Sequence, residues 1–189
     1  MSRFSFEPLS LLGAYLIQNF FEGDGRGGFT KTFEKDIYEK NGIPFTLNES
    51  FVSVSAKNVI RGLHFQLHHP QAKLVSVPHG RVYDVLVDLR TDSPTFTQWQ
   101  GYELSAENHL ALYIPKGFAH GFASLEEGSV VLYQCDGAYD QATDTGVRFD
   151  DPDIGVKWPV DADKAIHSAR DLQLMSVEEY RSHPMDVSP

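Results

Sequence analysis

The chain has 189 residues, which is enough for one domain with a full hydrophobic core, and we interpret residues 1–189 as a single domain. Its formal net charge of −10 argues against a nucleic-acid-binding surface, although a site inside an acidic protein can still be locally basic. The single cysteine, Cys135, excludes an intrachain disulfide, and no apolar run is typical of a membrane span or a secretion signal, so we expect a cytoplasmic protein without membrane partners.

The N-terminal quarter of the chain predicts one strand followed by one short helix. Residues 12–21 predict a strand that ends in an acidic, glycine-rich turn at 22–28. Residues 30–40 have short helical character, and Asn41 with Gly42 is typical of the end of a helix.

Residues 45–149 alternate between short strand-like segments and turns. At 82–89 apolar and polar residues alternate, so Asp84 and Asp88 share one face of that strand, and we expect one of them to be a structural hydrogen-bond acceptor. The other strand-like segments are 74–77, 98–104, 111–115 and 130–133. Many short strands at regular spacing predict an all-β antiparallel sandwich or jelly roll, and the polar segment 161–183 predicts a partly helical end to the chain.

Three of the strand-like segments, at 58–75, 113–122 and 130–135, each carry ionisable side chains among apolar residues. Ionisable groups that converge inside a barrel have pKa values shifted by burial, which acid–base chemistry requires. The polar residues that mark these segments are Arg61, His64, Gln66, Lys73, His120 and Tyr133.

These polar residues lie within short motifs that are weak singly but distinctive in their shared order and spacing. The motifs are DGRGGF at 24–29, NVIRGLHFQ at 58–66, QAKLV at 71–75, VYDVLVDLR at 82–90, SPTF at 93–96, LSAEN at 104–108, IPKGFAHGF at 114–122, DPDIG at 151–155 with WP at 158–159, and SARD at 168–171. In this combination the chain resembles the dTDP-4-dehydrorhamnose 3,5-epimerase family, a nucleotide-sugar branch of the cupins, from about residue 12 to residue 171.

The resemblance implies a cupin jelly roll with short peripheral helices. It also implies epimerisation at C3, C5 or both of a nucleoside-diphosphate 4-keto-6-deoxyhexose through an enolate, without a cofactor. A carbon acid beside a ketone is weaker than imidazolium by roughly a dozen pKa units, or about 16 kcal/mol, so the enolate must be strongly stabilised. A base on one face and an acid on the other are needed, because a single base would restore the original configuration.

The resemblance assigns the acid–base roles residue by residue. His64 matches the general base, and Asp171 matches the carboxylate that orients its ring and stabilises imidazolium. Tyr133 matches the opposed acid, and Lys73 matches the cation near the ketone oxygen. A lone strand histidine is more often structural. His64 is singled out because Arg61, Gln66 and Lys73 accompany it at family spacing. Tyr133 taken alone is equally consistent with a core tyrosine whose hydroxyl is satisfied.

Two further sets of residues follow from the same resemblance. Asp84 and His120 match a second buried pair that flanks the pocket and belongs to the catalytic set. Guanidinium groups suit bidentate contacts to a diphosphate. The residues implied to bind the nucleotide sugar are Arg26, Phe29, Arg61, Gln66, Lys73, His120, Tyr139, Asp144 and Arg170.

A metal is not expected, although many cupins bind one through a His-x-His pair with a later Glu and His. Here the pair is His64-Phe65-Gln66, so the second ligand is missing. A fixed cation at Lys73 would also compete with a metal in the same pocket.

The chain departs from the family pattern at Lys31, Glu49 and Phe51, positions that the family uses on the nucleotide and diphosphate. The catalytic set is intact, so these departures leave the nucleotide base open rather than the reaction. Whether C3, C5 or both are inverted also stays open. The alternatives are a monofunctional 5- or 3-epimerase on a non-dTDP sugar nucleotide and an inactive sugar-nucleotide-binding cupin. The resemblance further implies a homodimer in which an exchanged N-terminal strand places Arg26 and Phe29 over the partner's nucleotide site.

Overall fold

Two antiparallel β-sheets form the body of the protein in the computed structural model, which describes residues 3–161 and 163–186. The helical elements among these residues are α1 (Lys35–Lys40), a short 3-10 helix (Asp171–Gln173) and α2 (Val177–Ser182). The strands are β1 Ser5–Pro8, β2 Tyr15–Gln18, β3 Phe20–Asp24, β4 Gly27–Lys31, β5 Glu49–Ser55, β6 Ile60–Gln66, β7 Ala72–His79, β8 Arg81–Asp88, β9 Trp99–Ser105, β10 Leu110–Ile114, β11 Phe118–Ser124, β12 Ser129–Asp136 and β13 Asp144–Gly146.

The strands divide into two large sheets and one hairpin. Sheet one has the spatial order β1-β2-β10-β7-β12-β5, and sheet two has the order β13-β6-β11-β8-β9. Strands β3 and β4 pair only with each other among the described residues. The paired strands of all three sheets are antiparallel. This architecture confirms the predicted all-β jelly roll.

Strand β8 shows how alternation in the sequence builds the two layers. Its inward residues Val82 and Leu86 belong to the core between the sheets, while Val85 and Val87 face a second apolar cluster on the outer side of sheet two. Asp88 on the same strand accepts hydrogen bonds from the side chains of Arg90, Ser93 and Thr95, which is the structural role expected for one of the two aspartates.

The outer faces of both sheets are covered by the short helical segments. Tyr180 of α2 packs against sheet two, and its hydroxyl donates to the Leu89 carbonyl at 2.7 Å. Tyr38 of α1 is fully buried against the outer side of sheet one. The predicted helical character of 161–183 is confirmed in the 3-10 helix and α2, with residue 162 outside the described part. No helix among the described residues is long and apolar enough to cross a membrane.

The prediction was wrong in the glycine-rich segment 22–28, which is mostly paired strand rather than turn. Gly23 lies opposite Gly28 in the β3–β4 hairpin, and the turn shrinks to its tip. A Cβ on Gly28 would lie 2.5 Å from the Phe21 ring, so the glycine leaves room for that ring across the strand pair. Thr30 and Lys31 extend β4, and the helix predicted over 30–40 therefore begins only at Lys35.

Two glycines let β6 and β11 approach each other more closely than side chains allow. A Cβ on Gly62 would lie 2.7 Å from the Cα of Gly121, and a Cβ on Gly121 would lie 2.5 Å from the carbonyl oxygen of Arg61. Gly62 also has a φ of +125°, which disfavours other residues. The strand register shifts at this point, and His64 lies directly opposite His120. The glycines of two motifs thus set the position of two histidines.

We expect Gly121→Ala to destabilise the fold, because its Cβ would push into the backbone of β6. Overpacking of this kind costs about 1–3 kcal/mol, which for a chain of this size lowers Tm by roughly 2–12 °C. Gly25→Ala is the matched control, since a Cβ there meets nothing within 4 Å. Thermal unfolding followed by circular dichroism measures both variants, and an unchanged Tm for Gly121→Ala would show that the strands can separate without cost.

Candidate active site

A cavity of about 270 Å³ opens between the walls formed by β5, β6, β7, β11 and β12. It brings together nine of the residues that the sequence analysis implicated. Asp84 and Asp171 do not line it, and each lies behind a histidine that does. The nine are Arg61, His64, Gln66, Lys73, His120, Tyr133, Tyr139, Asp144 and Arg170.

His64 and Asp171 form a hydrogen-bonded pair on the β6 wall. The Nε2 atom of His64 lies 2.8 Å from Oδ1 of Asp171, and the backbone N–H of Gly62 donates to Oδ2 of the same carboxylate at 3.3 Å. Burial opposes ionisation of Asp171, but the hydrogen bonds from His64, Gly62 and Ser168 together hold its pKa below the ordinary value. An ionised carboxylate therefore stands behind a ring that reaches the cavity.

His120 and Asp84 form a second pair, which is deeper in the protein. Both oxygens of Asp84 lie 2.9 Å from Nε2 of His120, and both side chains are buried. Burial raises the pKa of the Asp84 carboxyl, while His120 and Lys73 oppose that shift. The double contact fixes the plane of the His120 ring against the cavity wall.

Tyr133 lies on β12, in the sheet opposite His64. Its ring stacks on Phe51 with centroids 4.7 Å apart and an angle of 12° between the planes. The His120 ring meets Tyr133 edge-on at 5.7 Å and 74°. Burial, and secondly the charge of Asp84, raise the pKa of the Tyr133 hydroxyl, while Arg61 opposes them. The hydroxyl is therefore protonated at neutral pH and can donate a proton.

Lys73 places an ammonium group beside the His64 strand. Its Nζ donates to the backbone carbonyl of His64 at 3.4 Å. Burial lowers the pKa of Lys73, and the nearby acidic groups Cys135, Asp144, Asp84 and Glu49 act in the opposite direction. An ammonium group at this point can stabilise negative charge that develops on a ligand oxygen.

Cationic and aromatic groups surround the open end of the cavity. Arg61 donates from Nε to the Ser55 hydroxyl at 3.0 Å. On the other side, the Asp144 carboxylate accepts from the Tyr139 hydroxyl at 3.1 Å and from Arg170 at 2.8 Å. Two guanidinium groups at the rim of an acidic protein make this mouth suitable for an anion such as a diphosphate.

Gln66 lines the cavity, but its amide is bonded to the loop that carries Tyr139. Its Nε2 donates to the carbonyls of His69 at 2.9 Å and Ala138 at 3.3 Å, and its Oε1 accepts from the N–H of Asp140 at 2.7 Å. These contacts give Gln66 a part in positioning Tyr139. A direct contact with substrate stays a prediction for this residue.

Arg26 and Phe29 lie on the β3–β4 hairpin and line a separate surface pocket. Arg26 pairs with Asp24 at the hairpin tip, and Phe29 is 56% exposed. Lys31, at the end of the same hairpin, pairs with Glu34 at 2.6 Å. Within one chain these residues do not reach the cavity, so their contact with a partner's nucleotide site stays a prediction.

The sequence analysis missed the wall formed by β5. Glu49, Phe51 and Ser53 alternate along this strand and all line the cavity, whereas only the first and third positions of Glu49-Ser50-Phe51 had been noted, as departures from the family. The alternation of polar and apolar residues at 49–55 was the available signal. Gln71 and Gly121 also line the cavity without having been assigned to it.

No group of three or more His, Cys, Asp or Glu side chains that could hold a metal occurs within 3–161 and 163–186. The His and carboxylate side chains that line the cavity are His64, His120, Glu49 and Asp144, and each histidine is bonded to a carboxylate behind it. The expectation of a metal-free site stays a prediction.

The arrangement suits proton transfer at both faces of a flat ligand. His64 projects from sheet two and Tyr133 from sheet one, so a ligand between the sheets has an imidazole on one side and a phenol hydroxyl on the other. Lys73 supplies positive charge near the base, and the guanidinium groups lie at the mouth.

Comparison with known proteins gives matches along nearly the whole chain. A sequence model of the dTDP-4-dehydrorhamnose 3,5-epimerase family matches residues 8–179. A dTDP-4-dehydrorhamnose 3,5-epimerase from Methanothermobacter thermautotrophicus is 43% identical over 180 residues, which cover 95% of this chain and 97% of the relative. A dTDP-4-dehydrorhamnose 3-epimerase from Streptomyces niveus is 36% identical over 176 residues, which cover 92% of this chain and 84% of the relative.

A solved structure is similar over the same extent. The crystal structure of a dTDP-6-deoxy-D-glucose-3,5-epimerase from Legionella pneumophila, in complex with dTDP-4-keto-L-rhamnose, superposes with a TM-score of 0.89 at 36% sequence identity. The superposition covers 93% of this chain and 94% of that chain. The similarity thus extends from sequence motifs to the arrangement of both sheets.

We expect Asp171→Asn to reduce the acid sensitivity of the fold. The folded-state pKa of Asp171 is depressed below its unfolded value near 3.8, so its stabilisation is complete above that value and is lost as the pH falls through the folded pKa. The wild type should therefore lose more free energy of unfolding than the variant between about pH 5 and pH 3. Urea unfolding across this range measures the difference. Asp92→Asn, at an exposed position, is the control and should leave the slope unchanged; equal slopes for Asp171→Asn would contradict the paired state of this carboxylate.

Proposed function

Because this chain belongs to the dTDP-4-dehydrorhamnose 3,5-epimerase family, we propose that it inverts its sugar substrate with His64 as the base and Tyr133 as the opposed acid. The protein is an epimerase of nucleotide-linked 4-keto-6-deoxyhexoses in deoxysugar biosynthesis. The observation that carries the proposed mechanism is the placement of these two groups on facing sheets around one cavity.

Proton removal begins at the β6 wall. The imidazole of His64 takes the proton from the carbon beside the C4 ketone, the C–H electron pair forms the enolate, and the imidazolium is held by the ionised Asp171 at 2.8 Å. The ammonium group of Lys73 stabilises the enolate oxygen. This interaction has to offset a large part of the roughly 16 kcal/mol that separates the carbon acid from imidazolium.

Proton return takes place from the β12 wall. The Tyr133 hydroxyl gives its proton to the other face of the same carbon, which completes the inversion and leaves a phenolate. Solvent then restores the proton of Tyr133 and removes the one on His64, so the net reaction changes configuration only. The raised pKa of Tyr133 keeps this group protonated before each turnover.

The nucleotide diphosphate is proposed to lie at the mouth, against Arg61, Arg170 and Tyr139. The Legionella pneumophila structure contains a dTDP sugar, which supports a thymidine nucleotide as the first candidate. Glu49 and Phe51 differ from the family pattern on the wall that faces this region. Nucleotides other than thymidine are therefore also to be tested. The similar 3-epimerase from Streptomyces niveus keeps a monofunctional reaction as the second candidate.

We expect Tyr133→Phe to separate proton exchange from inversion, because it keeps the ring but removes the donated proton. His64 would still form the enolate and return a solvent-derived proton to the original face. Incubation with dTDP-4-keto-6-deoxyglucose in deuterated water, followed by NMR, should show deuterium at C3 or C5 with little epimer.

His64→Asn is the companion variant, and it should lose exchange and inversion together by at least about 10²-fold, the usual contribution of a general base. If exchange and inversion fell in equal proportion in Tyr133→Phe, the acid role of Tyr133 would be wrong. Parallel assays with UDP-, CDP- and GDP-linked 4-keto-6-deoxyhexoses identify which nucleotide base the site accepts.

A cytoplasmic homodimer is also proposed, with the β3–β4 hairpin crossing to the partner. Phe29 is largely exposed on this hairpin, and Arg26 at its tip contacts Asp24. Both side chains suit a nucleotide, one by stacking and the other by charge. Sedimentation equilibrium should give about twice the 21.2 kDa of one chain, and a monomer mass at micromolar concentration would exclude the exchanged hairpin.

A further inference from the structure

Phe51 is an unusual residue on the otherwise polar wall of β5. It is 47% exposed and lies between Glu49 and Ser53 on the strand face that lines the cavity. In the β5–β12 register it stands directly opposite Tyr133. The two rings are nearly parallel, with centroids 4.7 Å apart and planes at 12°. An exposed aromatic ring thus covers one face of the proposed acid.

A second ring, that of His120, also contacts Tyr133. The His120 ring meets it edge-on at 5.7 Å, and His120 is in turn held by two contacts of 2.9 Å to Asp84. Tyr133 therefore contacts one ring that is held by a buried carboxylate and one ring that lies on an edge strand, since β5 ends the order of sheet one. A substitution at Phe51 removes one ring contact of Tyr133 without breaking the buried His120–Asp84 pair.

We propose that Phe51 is a positioning residue for proton donation, and that its ring holds the Tyr133 phenol at the angle needed to protonate the enolate. The proposal rests on the acid role assigned to Tyr133. The Phe51 ring also covers a face of Tyr133 that would otherwise meet water. Tyr133 is only 9% exposed, although the neighbouring strand β5 is at the edge of its sheet.

The enolate can then be protonated by either of two groups, His64 or Tyr133. Return of a proton from His64 gives isotope exchange without inversion, and donation from Tyr133 gives the epimer. Proton transfer depends steeply on the approach geometry of the donor. A change at Phe51 that disturbs Tyr133 therefore lowers the ratio of inversion to exchange, whereas a loss of substrate binding or of structure lowers both together.

The test measures that ratio by NMR in deuterated water for Phe51→Leu, which keeps an apolar side chain but removes the stack. We expect inversion per exchange event to fall about two- to tenfold, the rate equivalent of one stacked aromatic pair. The ratio is read at saturating substrate, so that a change in binding at this cavity wall does not enter it. Phe51→Tyr keeps the ring and should restore the ratio. Val52→Ala is the matched control, because Val52 is the next residue on the same strand and is 59% exposed; its ratio should equal that of the wild type.

An unchanged ratio in Phe51→Leu would overturn the proposal, and so would an equal fall in Val52→Ala. If the leucine variant does not fold, Phe51→Met removes the ring with a more adaptable side chain and is measured in the same way. The underlying mechanism fails separately: if Tyr133→Phe leaves inversion intact, Tyr133 is not the acid whatever Phe51 does. If Tyr133→Phe abolishes inversion while Phe51→Leu does not alter the ratio, only the positioning role is wrong.

Discussion

The close approach of β6 and β11 is the constraint on which the site depends. Because neither Gly62 nor Gly121 carries a Cβ, the two backbones come near enough to set His64 opposite His120. The N–H of Gly62 also donates to Asp171, so the same backbone segment that permits the approach helps to hold the carboxylate behind the base. The packing around the His64–Asp171 pair and the hydrogen bonding of its carboxylate therefore have one structural origin.

The two histidine–carboxylate pairs are chemically alike but electrostatically different. Asp171 receives a backbone N–H as well as its histidine, and its pKa is lowered. Asp84 is more deeply buried, with His120 and Lys73 as its favourable charges, and its pKa is raised. Desolvation raises the pKa of a carboxyl group where few hydrogen-bond donors compensate it, and hydrogen bonds lower the pKa where several donors are present. The outer pair is thus suited to carry charge during the reaction, and the inner pair is suited to hold an aromatic wall in place.

Much of this structure could be predicted from the sequence because its strands alternate and its motifs are dense. The period-2 pattern of 82–89 gave both the strand and the shared face of its aspartates. The hairpin at 20–31 was missed because glycines carry no side-chain pattern, and strand pairing there depends on room for the Phe21 ring. Asp171 lies 107 residues from His64, so no local pattern could join them, and only the resemblance to a known family did. The stack of Phe51 on Tyr133 depends on the register between β5 and β12, which sequence spacing does not fix.

The side-chain amide of Gln66 connects strand β6 to two loops beside the cavity. It lies two residues from His64 on β6, and it makes two hydrogen bonds to the loop of Tyr139 and one to His69 in the β6–β7 loop. Lifting the Tyr139 loop away from β6 would therefore break two hydrogen bonds to the strand that carries His64. On the β5 side of the cavity, the exposed Arg61 bonds instead to Ser55 and Val54 of an edge strand, so the two sides of the cavity are held by different kinds of contact.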